Sequence, residues 1–321
     1  MTFQDSTVLV TGGAGFIGSS LVERLLDEGA QVRVLDDFST GRRENLTGFQ
    51  DRFELVEGSV TDVDACAHAC GGTDFVFHQA ALPSVARSLA DPGRTHDVSA
   101  TGTLNMLRAA HAAGVKRFVC AGSSSAYGNT AALPKREDMP ARPRSPYAVA
   151  KLAGEQYAQV YAGLFGLETV VLRYFNVFGP RQDPGSFYSA AIPLFIVAAL
   201  EGRAPTIHGD GAQTRDFTFI DNVVEANLKA CLAPASRVSG QVFNVGCGER
   251  VSVRRLWEEI RAIVGVELEA HHTESRPGDV RDSLADLTLI REHLGYEGSV
   301  DLAEGLRRTV EWLRRGTHAA G

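Results

Sequence analysis

Val8-Leu9-Val10-Thr11-Gly12-Gly13-Ala14-Gly15-Phe16-Ile17-Gly18 is the stretch that decides the fold. Three apolar residues make a compact buried strand, a glycine-rich turn follows, and Gly15 to Glu28 then reads as a helix with Ile17, Leu21, Leu25 and Leu26 on one side. Gly12, Gly15 and Gly18 carry dinucleotide-binding spacing. The first allows the tight turn, the second lets backbone approach a pyrophosphate, and the third lets the helix pack on the sheet. The helix N-terminus offers free N–H groups and the positive end of its dipole to phosphates. A glycine triplet alone is a weak signal; the strand before and the helix after give it weight. Asp36 and Asp37 stand at the end of the second strand. A carboxylate there accepts hydrogen bonds from an adenosine ribose and repels a 2′-phosphate, so NAD is expected rather than NADP, although Arg42 and Arg43 follow closely.

The same rhythm continues outward from this unit. Val32–Leu35, Phe53–Val56, Phe75–Phe77, Phe118–Ala121, Glu168–Leu172 and Val242–Val245 read as further strands, with helical patterns at Val98–Ala113 and Pro146–Phe165. Continuous β-branched runs separated by helices imply a parallel sheet covered on both faces, and right-handed crossovers wind it doubly. From about Gly179 the rhythm breaks, with Pro180, Pro184, Pro193 and Pro205 punctuating loops. The expected fold is therefore α/β: a doubly wound Rossmann sheet from residues 1–178 plus 223–249, and a smaller C-terminal α/β substrate-binding region from 179–222 plus 250–321.

Bulk properties exclude several classes. A net charge of −7 leaves no basic field for nucleic acid or an anionic membrane surface. The N-terminus lacks the pattern of a signal peptide. The longest apolar run, Ala190 to Leu200, is too short to span a bilayer and contains Pro193. Five cysteines without framework spacing point to reduced thiols and a cytoplasmic protein. Cys66, His68 and Cys70 invite a metal reading, but the two cysteines share a helix face that His68 leaves, and no second ligand pair follows. No metal is expected.

Tyr147 and Lys151 lie four apart, on one face of a helix that Pro146 is suited to start. A phenol ionises too high to act as a base at neutral pH, but an ammonium and a positive nicotinamide ring nearby favour phenolate. Tyr147 would then take a proton from a sugar hydroxyl while hydride leaves the same carbon, and Lys151 would hold the nicotinamide ribose. Tyr-x-x-x-Lys is common by chance on surface helices. Its weight comes from Ser123-Ser124-Ser125-Ala126-Tyr127-Gly128, hydroxyls at the carboxyl end of a strand, where open α/β sheets bind ligands.

With these motifs in hand, the chain resembles the extended short-chain dehydrogenase/reductase family. The likeness is nearest to the UDP-hexose 4-epimerases, particularly bacterial UDP-N-acetylglucosamine 4-epimerases. The likeness runs through the glycine turn, Asp36-Asp37-Phe38-Ser39-Thr40-Gly41, His78-Gln79-Ala80-Ala81, the serine run, Tyr147 with Lys151, Leu172 to Gly179, Arg215-Asp216-Phe217 and Arg276-Pro277-Gly278-Asp279. The resemblance implies that Gly12, Gly15, Phe16, Ile17, Gly18, Asp36 to Gly41, Val60, Gln79, Ala80, Ala81 and Tyr174 join Tyr147 and Lys151 around NAD. Ser59 stands where the family usually has an Asp that bonds the adenine, and Ser99 where it usually has an Asn near the cofactor. Ser123 matches the hydroxyl that bonds the sugar 4-oxygen, with Ser124 beside it. Asn176 resembles the residue that holds the substrate diphosphate, and Arg215 and Arg276 the arginines that clamp it; the alternative for both arginines is surface ion pairing. Asp279 would bond the uridine ribose, and the backbone of Thr206-Ile207-His208 would read uracil.

The resemblance implies a redox-neutral cycle on a UDP-sugar: oxidation at C4, rotation of the 4-keto sugar, and return of hydride to its other face. Related 4,6-dehydratases and UDP-glucuronate decarboxylases carry acids just after the catalytic Thr or Ser. Here those places are Ser124 and Ser125, so these reactions and UDP-glucuronate epimerisation rank below simple epimerisation. A non-catalytic NAD-binding regulator would usually lack Tyr147 or Lys151. Ser283 falls where the related enzymes vary the wall facing the C2 substituent, and small Ala190 resembles a second wall. UDP-GlcNAc/UDP-GalNAc is thus the expected pair, with UDP-Glc/UDP-Gal accepted. Helices 97–113 and 147–165 are where related enzymes pair, implying a homodimer through a four-helix contact.

Overall fold

The computed structural model describes residues 2–184, 191–274 and 281–318. Among them, seven parallel strands form one sheet: β1 (Thr7–Thr11), β2 (Gln31–Asp36), β3 (Phe53–Glu57), β4 (Phe75–His78), β5 (Arg117–Ser123), β6 (Glu168–Tyr174) and an edge strand, Gln241–Val245. Their spatial order is edge strand, β6, β5, β4, β1, β2, β3. Alternate residues of one strand face opposite sides, so the sheet feeds two cores at once. Val8 and Val10 join Phe77, Val119 and Leu172 on one side, while Leu9 joins Leu35, Val76, Phe118 and Val171 on the other. Burial on both faces explains why these strands read as continuous apolar runs.

The chain leaves β1 toward β2 and β3, then returns to build β4, β5 and β6 on the other side. That reversal opens a crevice at the carboxyl ends of β1 and β4, the place where doubly wound sheets take ligands. Helix Phe16–Asp27 starts at this crevice. Helix Pro146–Phe165 starts with proline at its first position and the Ser145 side chain accepting from the Ala148 N–H at 3.2 Å; Gly166 closes it in a left-handed conformation.

Two elements differ instructively from the sequence reading. β5 runs on to Ser123, because Ala121, Gly122 and Ser123 pair with Leu172, Arg173 and Tyr174 of β6. The expected continuous helix over 98–113 is instead helix Pro92–His96, a π-helical turn at Asp97–Thr101 and helix Gly102–Ala112. Hydrophobic periodicity cannot detect a single widened turn, and such turns often lie beside functional sites.

Helix Ile220–Leu232 packs on β5 and β6. Its C-terminal end is tied down by Arg117 of β5, whose buried guanidinium donates to the carbonyls of Ala230 (3.2 Å), Cys231 (2.6 Å) and Ala233 (2.6 Å) and also to Glu168. Beyond this helix lie Val253–Val264, Thr288–Leu294 and Leu302–His318. Among the described residues no helix is long and apolar enough to cross a membrane. Arg117→Met keeps the stem but strands three buried helix carbonyls. It is expected to lower the unfolding free energy by about 2–4 kcal/mol, read from the urea midpoint; an unchanged midpoint would show that water replaces the guanidinium.

Candidate active site

A cavity of about 820 Å³ opens at the crevice. Its floor is the glycine turn, and its fit to a dinucleotide can be tested there. Gly12 has φ +67°, and a Cβ on it would lie 2.8 Å from the backbone of Ala80; a Cβ on Gly18 would run into the Gly12 carbonyl. Only glycine lets β1, helix Phe16–Asp27 and the segment after β4 come this close, leaving helix N–H groups bare toward the cavity. Phe16, Ile17, the whole stretch Asp36–Gly41, Val60, Gln79–Ala81, Tyr147, Lys151 and Tyr174 line the same space. These residues fit NAD.

Asp36 is almost fully buried, and its carboxylate shapes the pocket from within. Oδ2 accepts from the Ala14 N–H and Oδ1 from the Phe38 N–H, both at 2.8 Å. Burial pushes its carboxyl up from the ordinary value, while these two bonds pull it back. Asp37 is exposed and caps Ser39. The two arginines that could have welcomed a 2′-phosphate are engaged: Arg42 pairs with Asp183 at 3.2 Å, and Arg43 pairs with Glu57 at 2.6 Å while lying over the Phe38 ring.

On the opposite wall, β5 delivers Ser123 and helix Pro146–Phe165 delivers Tyr147 and Lys151. The Ser123 hydroxyl stands close enough to the Tyr147 phenol to favour its ionised form. The Ser123 hydroxyl lies 2.8 Å from that of Ser125 and accepts from the Ser125 N–H at 3.2 Å. Ser124 is half-buried in the turn that follows. Lys151 Nζ donates to the Ala121 carbonyl at 2.7 Å. Burial pushes the Tyr147 phenol up, with the Ser123 hydroxyl opposing, and pushes the Lys151 ammonium down. Here the structure qualifies the sequence reading: proximity in the helix does not by itself ionise the phenol, because desolvation outweighs it. Tyr174 is locked by accepting from Asn227 at 2.9 Å and donating to Gln79 at 3.2 Å.

Ser59 and Ser99 stand apart from the main cavity's lining. Ser59 lines a smaller hollow of about 350 Å³ with Asp37 and Arg94, its hydroxyl accepting from that of Thr61 at 3.0 Å. Ser99 sits in the π turn, buried, with a hydroxyl that has no hydrogen-bond partner.

A second cavity of about 540 Å³ gathers Asn176, Thr206, Ile207, His208 and Arg215, residues far apart in sequence. Arg215 Nη1 donates to the carbonyls of Thr214 (2.9 Å) and Arg281 (3.1 Å). Ser283 is buried beside them: its N–H donates to the Thr214 carbonyl at 3.1 Å, and its hydroxyl has no hydrogen-bond partner. Ala190, Arg276 and Asp279 lie outside the described residues. Among the described residues no His, Cys, Asp or Glu cluster could hold a metal ion, and all five cysteines are free.

Sequence reasoning missed part of the first cavity's rim. Asn45, Ser84 and Arg181–Asp183 line it. Ser84 and Arg181 are marked by backbone strain, which no periodicity reports. Among the described residues, the non-glycine positions with positive φ are Phe38, Ser84 and Arg181 at the first cavity, Asn176 at the second, and Asp5 elsewhere. Such strain gathers at binding sites.

The family model described as the NAD dependent epimerase/dehydratase family matches residues 8–246. A UDP-glucose 4-epimerase of Mycolicibacterium smegmatis is 44% identical over 310 residues, covering 95% of this chain and 98% of that protein. The crystal structure of a UDP-glucose 4-epimerase from Thermotoga maritima with UDP-glucose superposes with a TM-score of 0.92 at 37% identity, covering 97% of this chain and 99% of that one. A UDP-N-acetylglucosamine 4-epimerase from Methanobrevibacter ruminantium, in complex with UDP-N-acetylmuramic acid, gives 0.90 at 35% identity, covering 98% and 99%.

The buried His78 offers a pH test of the cavity floor. Thr103 Oγ1 donates to the Ser99 carbonyl at 2.8 Å and therefore accepts from His78 Nε2 at 3.0 Å. His78 Nδ1 then accepts from Thr11 Oγ1 at 2.8 Å, which in turn accepts the Ala80 N–H at 3.2 Å. This arrangement requires a neutral ring. Burial, helped by Lys151, pushes its pKa from 6.5 down to about 3. The unfolded chain takes up this proton as pH falls through 6.5, and the folded chain does not until about 3. His78 therefore costs stability on acidification below about 6.5, at up to about 1.4 kcal/mol per pH unit. Ring NMR should show no inflection for His78 between pH 8 and 5; a midpoint near 6 would mean the network admits a charged ring.

Proposed function

The chain belongs to the NAD dependent epimerase/dehydratase family, as an NAD-dependent enzyme that epimerises UDP-sugars, and from that premise we propose that it inverts C4 of UDP-N-acetylhexosamines in preference to UDP-hexoses. The observation that carries this reading is the gathering of Asn176 and Arg215 at one cavity, with Ser283 held beside them by its N–H bond to the Thr214 carbonyl.

In this reading Arg215 and Asn176 hold the diphosphate, with Arg276 as the second arginine; a charge-assisted fork suits phosphate oxygens. The backbone of Thr206-Ile207-His208 faces the uracil, and Asp279 the uridine ribose. The sugar then reaches toward Ser123, Ser124 and Tyr147. Bound NAD supplies a hydride acceptor and donor and a positive ring that favours phenolate at Tyr147. The phenol oxygen of Tyr147 takes the proton from the 4-hydroxyl and later returns it. Ser123 holds O4 in line with that oxygen. Lys151 keeps one N–H on the Ala121 carbonyl, which leaves its other two for the nicotinamide ribose. Ser124 and Ser125 supply no carboxyl for loss of water, which favours simple epimerisation over dehydration or decarboxylation.

A second copy of the chain is the proposed partner. Val149, Tyr157, Val160, Leu164 and Phe165 present apolar surface along helix Pro146–Phe165, Leu164 being 79% exposed. That stripe fits a four-helix contact between two copies.

Tyr147→Phe fills the same space and removes only the hydroxyl. Folding and NAD content should persist while turnover falls by about two to four orders of magnitude; activity within a few-fold of the parent would assign the base to another group. Ser283→Tyr tests the substrate. A small side chain admits an acetamido group without excluding a hydroxyl, because an underfilled pocket discriminates by only about 1–3 kcal/mol. The variant should lose UDP-GlcNAc turnover and keep UDP-Glc turnover; unchanged UDP-GlcNAc turnover sinks the assignment.

A further inference from the structure

We propose that Asp216 is a positioning residue for substrate binding, a buried clasp that sets Arg215, Asn176 and Ser283 in register without touching the substrate. The proposal rests on the assignment of Arg215 to the diphosphate.

Asp216 has no exposed surface and sits between Arg215 and Phe217, both of which line the second cavity. Its carboxylate accepts three main-chain N–H bonds from two distant segments. Oδ1 takes that of Cys247 at 2.8 Å; Oδ2 takes those of Gly248 and Ala285, each at 3.0 Å. Cys247 and Gly248 follow the edge strand of the sheet, and Ala285 lies two residues past Ser283. The main-chain carbonyl of Asp216 accepts from Asn176 Nδ2 at 3.1 Å, and Asn176 is itself held at φ +27°. One residue thus joins the chain after β6, the Arg215 strand, the end of the sheet and the Ser283 segment.

The approach is as close as backbone allows. A Cβ on Gly246 would lie 2.8 Å from both Asp216 Oδ2 and the Ala285 Cβ. A neutral amide cannot replace the carboxylate: one of its ends would turn N–H donors against N–H donors. The groups facing the carboxyl are the Cys247 thiol, Glu249, the Tyr296 phenol, which donates to the Gly246 carbonyl at 2.8 Å, and the flanking Arg215. Burial pushes the Asp216 carboxyl up to about 6, with the three N–H bonds opposing. Acidification through that range therefore withdraws an acceptor from the clasp.

The test is steady-state kinetics with UDP-glucose on Asp216→Asn, Arg215→Ala and the double variant, with NAD content measured in each. Asp216→Asn should raise KM about tenfold, hold kcat within about threefold and keep NAD content at the parent level. In the Arg215→Ala background the same change should raise KM much less, since its effect passes through Arg215. The parent KM should also rise as pH falls through about 6, and do so again in His208→Gln, which removes the imidazole of the same cavity. An unchanged KM in a folded Asp216→Asn variant overturns the proposal, as does a parallel loss of kcat, KM and NAD content. Should Asp216→Asn fail to fold, the parent pH profile decides: a KM flat from pH 8 to 5 overturns it. Arg215→Ala with unchanged KM would instead overturn the diphosphate assignment, whatever Asp216 does.

Discussion

Everything at this site depends on how closely three pieces of backbone meet at the glycine turn. β1, helix Phe16–Asp27 and the segment after β4 converge where Gly12 and Gly18 leave no room for a Cβ. A larger residue at either place would push the helix off the sheet and cover its free N–H groups. The cavity, the entry point for Asp36 and the line from β5 to Tyr147 all follow from that contact. It also explains why the buried chain Thr11–His78–Thr103 must stay neutral: it braces the segment against which Gly12 packs.

Electrostatics around the two cavities is arranged by backbone as much as by side chains. Asp36 and Asp216 are both buried carboxylates held by main-chain N–H groups. Each spends its charge on organising a loop, and in each case burial pushes the carboxyl up while N–H bonds pull it down. Three arginines near the first cavity are ion-paired: Arg42 with Asp183, Arg43 with Glu57 and Arg181 with Glu23. The buried pair Arg173–Glu155 ties β6 to the helix that carries Tyr147 and Lys151. Breaking such a pair leaves an uncompensated buried charge, so the helix has little freedom to drift from the serine turn.

Much of this was written in the order of residues. The glycine triplet, the apolar runs of the strands, Pro146 before Tyr147 and the acid at the end of β2 are local signals, and local geometry follows from them. They specify a doubly wound sheet, a dinucleotide turn and a Tyr–Lys helix face, because turn conformation and helical period depend on neighbours in the chain. The π turn at Asp97–Thr101, the positive φ of Phe38, Ser84, Asn176 and Arg181, and the meeting of Asn176, Arg215 and Ser283 were decided only by the tertiary structure. So was the state of Tyr147 and Lys151, whose spacing the sequence shows but whose desolvation it does not. The physical reason is the same in each case: burial, strain and long-range hydrogen bonds arise from segments that are neighbours in space and not in sequence.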